Sequence, residues 1–440
     1  MKELKSFDQA VEYLYGLRLN GMKLGLDNTR ILAAKLDLPN PDINYIHVAG
    51  TNGKGTICAI LECVFRNAGY TTGLFTSPHL VNFNERIRLG GTPVSREKIV
   101  ELTNKIAKLV DRDWPKIDGN TNGPTFFEAT TVMALEAFAR QNLEIAIMET
   151  GLGGRLDATN ILKPQLCIIS SIALDHQKWL GETVSQIAFE KAGIIKPKTP
   201  VVCLEMEDNI MAVIEKKAKE MDAPLHLVTR EDVQKSQPRR PLKNIRGAHH
   251  NVNIALAKKA CQILQPVIPI RNEDFSKGLE WTHWPARLQK LKLDNGVTFI
   301  LDGAHNPQGV EALSSYLRTE FPGKKFDFLL GLLSDRPIAD MLNPLENIAN
   351  SLTFCQPPTE RAFPLDKILS IAQNTIKSEV VLSQTEDPVS HILGHRSQNG
   401  LVVAGSLHFA GHVFKGLGID PFNQSQISTK DEGLLNEWNV

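Results

Sequence analysis

The stretch YIHVAGTNGKGTICAILECVFRNAGY, residues 45–70, constrains the fold of this chain more than any other. Tyr45, Ile46, His47, Val48 and Ala49 form an apolar run rich in strand formers that stops at Gly50, as a buried strand entering a tight turn does. Beyond the turn, Ile57, Ile60, Leu61, Val64 and Phe65 recur at helical spacing as one apolar stripe, and Gly69 stands where that helix should end. Between strand and helix lie Asn52 and three glycines, Gly50, Gly53 and Gly55. Glycine lets backbone N–H groups turn inward onto a polyphosphate, at the positive end of a helix dipole. Lys54 adds a mobile positive charge and Thr56 a hydroxyl near a metal ion. The spacing is not the common G-x-x-x-x-G-K-[ST]: Val48 holds the first glycine position and Gly55 separates Lys54 from Thr56. The segment therefore predicts a variant phosphate loop inside an α/β fold.

From this loop onward, strand-like runs alternate with helical patterns: EIAIMET at 144–150, LCIISSIAL at 166–174 and PVVCLE at 200–205. Such alternation predicts mostly parallel strands joined by crossover helices. Near residues 285–296 the pattern restarts, and FILDGAHNP, KFDFLLGLLSD, SLTFCQPP, EVVLS and LVVAGSLHFA supply a second set of buried strands. We expect a nucleotide-phosphate-binding domain over 1–285, a second domain over 286–425 and a tail over 426–440. DRDWPKIDGNTNGP, rich in Gly, Pro, Asp and Asn, reads as an exposed loop.

Lys plus Arg equals Asp plus Glu at 49 each, so no global positive field recruits nucleic acid or an anionic membrane, and an anion must be met locally. The six cysteines are scattered with no C-x-x-C pair, which reads as reduced thiols rather than a disulfide framework or zinc site. The charged, amphipathic start MKELKSFDQAVEYLYGL lacks an apolar signal core, and no apolar run reaches spanning length; a soluble, cytoplasmic protein is expected.

In open parallel sheets ligands gather beyond the carboxyl ends of strands. Ser77 in LFTSPHL, Glu149 in IAIMETGLGGRLDATN, and Asp175 with His176 in IISSIALDHQKWLG all follow strand-like runs. Singly, Ser77 can open a turn, Glu149 can cap a backbone, and a lone histidine is more often a satisfied polar group than a ligand. Together, beside a phosphate loop, their oxygen-rich set suits magnesium, which keeps waters and bridges to substrate phosphates. Lys191 in FEKAGIIKP could instead pair with Glu190 or Glu182 on a solvated face. RGAHHNVNIALAKKA sets His249, His250, Asn251 and Asn253 at the opening of a helix, where an asparagine can serve an adenine edge or cap the helix. ILDGAHNPQG sends Asp302, His305 and Asn306 out of a strand end, and WPARLQ offers Arg287 as a fixed fork for phosphate or carboxylate. The run from Lys235 to Arg246, without aromatics, reads as a solvated loop.

HVAGTNGKGT, TSPHLVNFNERI, ETGLGGRLDATN, LDHQKWLG, EKAGIIKP and LDGAHNP together resemble the folylpolyglutamate synthase and dihydrofolate synthase family, a branch of the Mur-type ATP-dependent amide ligases, in order from about residue 20 to about 410. The resemblance implies an ATPase domain followed by a smaller Rossmann-like domain, with the active site between them, and a monomer. It implies that Gly53, Lys54, Gly55 and Thr56 bind ATP phosphates, that Ser77, Glu149 and His176 hold magnesium, and that Lys191 becomes carbamylated. Asn253, Arg287 and Asp302 then match ATP-binding positions, and His305 and Ser406 fall where the incoming L-glutamate is handled. Thr125, Phe127, Asp157 and Ala158 match the pterin side of enzymes that also accept dihydropteroate. His250 stands where relatives usually carry an amide, Ala286 replaces a frequent glycine, and LLSDRP departs from an acidic pair with Pro337.

The implied activity is ligation of L-glutamate to a folate, to dihydropteroate, or to both. ATP converts the acceptor carboxylate to an acyl phosphate, Lys54, the loop amides and the metal offset the repulsion, and the amine of glutamate then displaces phosphate. Closure of the two domains would keep water from the intermediate. The basic run from Lys235 to Arg246 would steer a growing polyglutamate tail. Two other readings stand beside this one: a Mur-type cell-wall ligase, against which SPHLVNFNERI and GLGGRLDATN count, and a nucleotide-binding regulatory module, against which the absence of N-K-x-D counts.

Overall fold

The computed structural model describes residues 3–20, 25–114, 123–238, 242 and 245–423. The expected tail over 426–440, most of the loop at 111–124, and Arg239, Arg240 and Lys243 of the basic run lie outside the described residues. The chain divides into two compact units: one of Met1–Pro78, Asn82–Gln237 and Asn251–Thr282, the other of His79–Val81, Pro238–His250 and the chain from His283 onward.

Unit one is built on eight strands: β1 (Asn44–Ala49), β2 (Thr72–Phe75), β3 (Ile87–Leu89), β4 (Thr92–Pro93), β5 (Ile145–Glu149), β6 (Leu166–Ile169), β7 (Val201–Leu204) and β8 (Leu225–Val228). Among the described residues they form one sheet in the order β4-β3-β2-β5-β1-β6-β7-β8. The six strands from β2 to β8 in that order run parallel, while β3 and β4 turn back antiparallel at one edge. Strand β1 is central and buried from Tyr45 onward, which is why it reads as a continuous apolar run rather than an alternating one. One face of the sheet packs a cluster around Phe75, Phe83 and Phe138 and another around Ile169, Ile187 and Ile214, while Ile46 and Val48 of β1 point to the opposite face.

Unit two carries six strands: β9 (Gln289–Lys292), β10 (Thr298–Leu301), β11 (Phe326–Leu330), β12 (Ala349–Cys355), β13 (Val381–Thr385) and β14 (Gly400–Ala404). Their order is β13-β12-β11-β14-β10-β9, all parallel except the β9–β10 hairpin. Its two cores centre on Phe326, Phe328 and Phe354 and on Phe299, Phe409 and Phe414. All six cysteines are buried and unpaired, and burial pushes the Cys167, Cys203 and Cys261 thiols up to about 12. No helix among the described residues is long and apolar enough to cross a membrane.

Candidate active site

The glycine loop leaves β1 and enters the helix Lys54–Asn67, whose N-cap is Gly53 at φ 89°. A side chain is excluded there twice, because left-handed backbone disfavours a Cβ and one built on Gly53 would fall 2.3 Å from Asn253 Oδ1. Gly50 is equally committed: its Cβ position lies 1.8 Å from Ser170 Oγ. The loop is pinned to the chain beyond β6, where the Ser170 hydroxyl donates to Asn52 O at 2.7 Å and Thr51 N donates to Ser171 O at 2.7 Å. Thr51 Oγ1 donates to Ala173 O and accepts from Ala173 N. Thr56 is buried in the first helical turn. The helix stops at Ala68, and Gly69 takes the left-handed position that follows.

Two lysines converge on one carbonyl. Lys54 Nζ donates to Gly50 O at 2.9 Å and to Thr51 O at 3.2 Å, and Lys191 Nζ donates to the same Gly50 O at 2.7 Å. Lys191 is 4% exposed, so burial above all, then the charge of Lys54, draws its pKa down from 10.5 to about 7 against the opposing pull of Asp175 and Asp157. The solvated-face alternative for Lys191 does not hold, since Glu190 pairs with Arg155 at 2.9 Å.

Strands β2, β5, β1 and β6 are consecutive neighbours, so their carboxyl ends follow one another along about 15 Å of one sheet edge. That edge carries, in order, Ser77, Glu149, the glycine loop, and Asp175 with His176. Ser77 N donates to Glu149 Oε2 at 3.0 Å, which brings that serine and carboxylate together. His176 takes a left-handed conformation (φ 51°) at the start of the helix Gln177–Leu180, with Nε2 3.7 Å from Asp175 Oδ1. The Ser77 hydroxyl and Glu149 carboxylate are oxygen donors of the kind magnesium takes while keeping part of its water shell.

Phe127, Asp157 and Ala158 lie at the loop after β5. Thr125 caps the helix Phe126–Arg140 in a reciprocal box with Glu128. Phe127 packs against Phe75 and against Gly151, where a Cβ would fall 2.3 Å from its ring. Ala158 is buried in the short turn Ala158–Ile161. Asp157 is buried, and its carboxylate is filled by its own chain: Oδ2 accepts from Gly151 N and Leu152 N at 2.8 Å each, Oδ1 from Thr159 N at 3.0 Å and Thr159 Oγ1 at 2.5 Å. Burial raises its pKa against those bonds.

Sequence reasoning missed the group that completes this network. His47, wholly buried in β1, lies with Nε2 2.7 Å from Thr159 Oγ1. The threonine hydroxyl has one proton and gives it to Asp157, so His47 must carry its proton on Nε2 and donate. Burial, then the charge of Lys196, lowers its pKa to about 3, which keeps the ring neutral. No sequence signal marks it, because His47 and Thr159 are 112 positions apart.

In unit two, Asp302 follows β10 and is buried, with Oδ2 accepting from Leu288 N and Oδ1 from Ala304 N, both at 2.8 Å. His305 Nδ1 lies 2.9 Å from Gly303 O. Arg287 is half-buried and its Nη1 is 3.4 Å from Ala286 O. Ser406 is buried at the cap of the helix Leu407–Gly416, accepting from Phe409 N and donating to Gly331 O. The His249 and His250 rings lie with centroids 4.1 Å apart at an interplanar angle of 43°, and burial holds the His250 pKa well below 6.5. Asn253, one turn on in the helix His249–Leu264, belongs to unit one beside Gly53.

Residues 48–265 match the Mur ligase middle domain and residues 286–407 the Mur ligase glutamate ligase domain. The dihydrofolate synthase/folylpolyglutamate synthase of Bacillus subtilis (strain 168) is 34% identical over 437 residues, covering 94% of this chain and 99% of that protein. Among solved structures, the bifunctional folylpolyglutamate synthase/dihydrofolate synthase of Yersinia pestis complexed with AMPPNP and Mn ion superposes with a TM-score of 0.80 at 29% identity, over 95% of this chain and 100% of that one. E. coli FolC in complex with DHPP and ADP gives a TM-score of 0.80 at 26% identity, over 95% and 99% of the two chains.

Proposed function

Because the chain belongs to the family of folylpolyglutamate and dihydrofolate synthases within the Mur ligases, we propose that it is an ATP-dependent ligase joining L-glutamate to a folate, to dihydropteroate, or to both. One observation carries this reading: Ser77, Glu149, the glycine loop and His176 occupy successive strand ends on one sheet edge, with Lys54 and Lys191 on a single loop carbonyl. The loop N–H groups and Lys54 would hold ATP phosphates, with Asn52, Gly53, Gly55, Thr56 and Asn253 lining the turn, and Arg287 and Asp302 are read as further nucleotide-binding positions. Ser77, Glu149 and His176 would hold magnesium, which when bound supplies charge stabilisation on the transferring phosphoryl group. Thr125, Phe127 and Ala158 would shape the acceptor pocket, Asp157 would hold its loop in place, and His305 and Ser406 would receive glutamate.

Lys191 is read as the carbamylated lysine. A primary amine with a pKa near 7 has a large neutral fraction at physiological pH, and the neutral amine can attack carbon dioxide, forming an N–C bond and releasing a proton. The product is an anion beside Lys54, so two like charges become an opposite pair. Six buried, unpaired thiols support a cytoplasmic setting, and a monomer is expected on size-exclusion.

The test is purified protein with magnesium-ATP, L-glutamate and each pteridine acceptor in turn, with products read by mass. Addition of one glutamate residue to tetrahydrofolate or dihydropteroate, with stoichiometric ADP and phosphate, is the expected result. ATP turnover with no acceptor-dependent product would overturn the reading.

A further inference from the structure

We propose that Gln289, which none of the readings above assigns, is a positioning residue that holds the backbone turn presenting Arg287 to the nucleotide; this rests on the reading that Arg287 binds ATP. The turn is strained on both sides of the arginine. Ala286 and Leu288 take positive φ, 55° and 47°, although neither is glycine, and such backbone persists only where neighbouring groups over-determine it.

Three bonds do so here. The Gln289 Oε1 atom accepts from Ala286 N at 2.9 Å, Asp302 Oδ2 accepts from Leu288 N at 2.8 Å, and Gly303 N donates to Ala286 O at 2.9 Å. Each strained residue thus has its N–H fixed by a side-chain oxygen, from Gln289 on one flank of Arg287 and from Asp302 on the other. The arginine itself lies over bare backbone, since a Cβ on Gly303 would fall 2.4 Å from its Nη1. Gln289 opens β9, whose Cα register sets it opposite Leu301, so its backbone is anchored by the sheet while its side chain reaches back. The amide has one further property: its Nε2 is shielded from solvent and has no hydrogen-bond partner among the described residues. The acceptor oxygen is therefore the half of the side chain that does the holding.

Steady-state kinetics of Gln289→Met, Gln289→Glu, Arg287→Ala and the Met/Ala double variant test this. Gln289→Met keeps length and removes the acceptor, and is expected to raise the KM for ATP roughly ten-fold with kcat and the KM for glutamate within about two-fold. Gln289→Glu keeps the oxygen and should stay within about three-fold of the parent. In the Arg287→Ala background, Gln289→Met should add nothing further, as expected when one residue acts only through the other. A Gln289→Met KM for ATP equal to the parent's while Arg287→Ala raises it, or an undiminished Gln289 effect without the arginine, overturns the proposal. If Arg287→Ala leaves the ATP KM unchanged, it is the reading of Arg287 that fails. Should Gln289→Met not fold, Gln289→Asn, one methylene too short to reach Ala286 N, is expected to give the same split.

Discussion

At the scale of single residues, the most consequential group is Lys191, whose ammonium shares a carbonyl with Lys54 deep in unit one. Unmodified, its folded-state pKa is about 7 against an ordinary 10.5. Below about pH 7 folded and unfolded chains both hold the proton, and the burial cost is present in full. Between there and 10.5 the unfolded chain keeps a proton that the folded chain has released, so stability rises with pH. In buffer freed of carbon dioxide, Lys191→Met should therefore have a higher urea midpoint than the parent at pH 6, and the gap should shrink by pH 9. The same variant should lose about 10²–10³-fold in kcat, and bicarbonate should restore activity to carbon dioxide-depleted parent enzyme but not to the variant. Gly53→Ala is the second test: a positive φ and the nearby Asn253 amide oxygen both oppose the methyl group, and the KM for ATP should rise by at least about ten-fold. The glycines were legible in sequence because a tight turn at positive φ is a local need, whereas the close approaches of Ser170 to Gly50 and of Asn253 to Gly53 were not. The burial of Lys191 was not, because it depends on a contact 141 positions away.

At the scale of elements, strand ends were readable and side-chain networks were not. Apolar runs located β1, β5, β6 and β7, and Ser77, Glu149 and His176 follow or close β2, β5 and β6 in the chain. The short β3 and β4 hairpin and β9 went unpredicted as strands, since two- to four-residue edge strands lack a pattern of their own. The His47–Thr159–Asp157 chain ties β1 to the loop after β5, and only tertiary packing brings its members together. Thr159→Val keeps shape and severs both bonds; it should cost about 1–3 kcal/mol of stability and raise the acceptor KM several-fold while leaving the ATP KM unchanged. Nitrogen NMR of the parent should show one buried histidine with its proton on Nε2 and no titration between about pH 5 and 9, in keeping with a pKa of about 3.

At the scale of the whole molecule, each unit has its own sheet and its own buried clusters among the described residues, and the strand pattern restarts near residue 285, where the second sheet begins. The membership of 79–81 and 238–250 in unit two was not visible, because chain order does not record which core a short segment joins. If the nucleotide site is as proposed, magnesium with a non-hydrolysable ATP analogue at a hundred times its Kd should stabilise the native state by about 2.7 kcal/mol, read as a rise in thermal midpoint. EDTA should remove most of that rise, while EDTA without nucleotide should leave the midpoint unchanged. The thiols bring an experimental opportunity of their own. With every native cysteine sequestered and most held far from ionisation, a maleimide dye at neutral pH would react at whichever exposed position an investigator mutates to cysteine, so fluorescent reporters can be attached to this enzyme without first stripping its natural sulfhydryls.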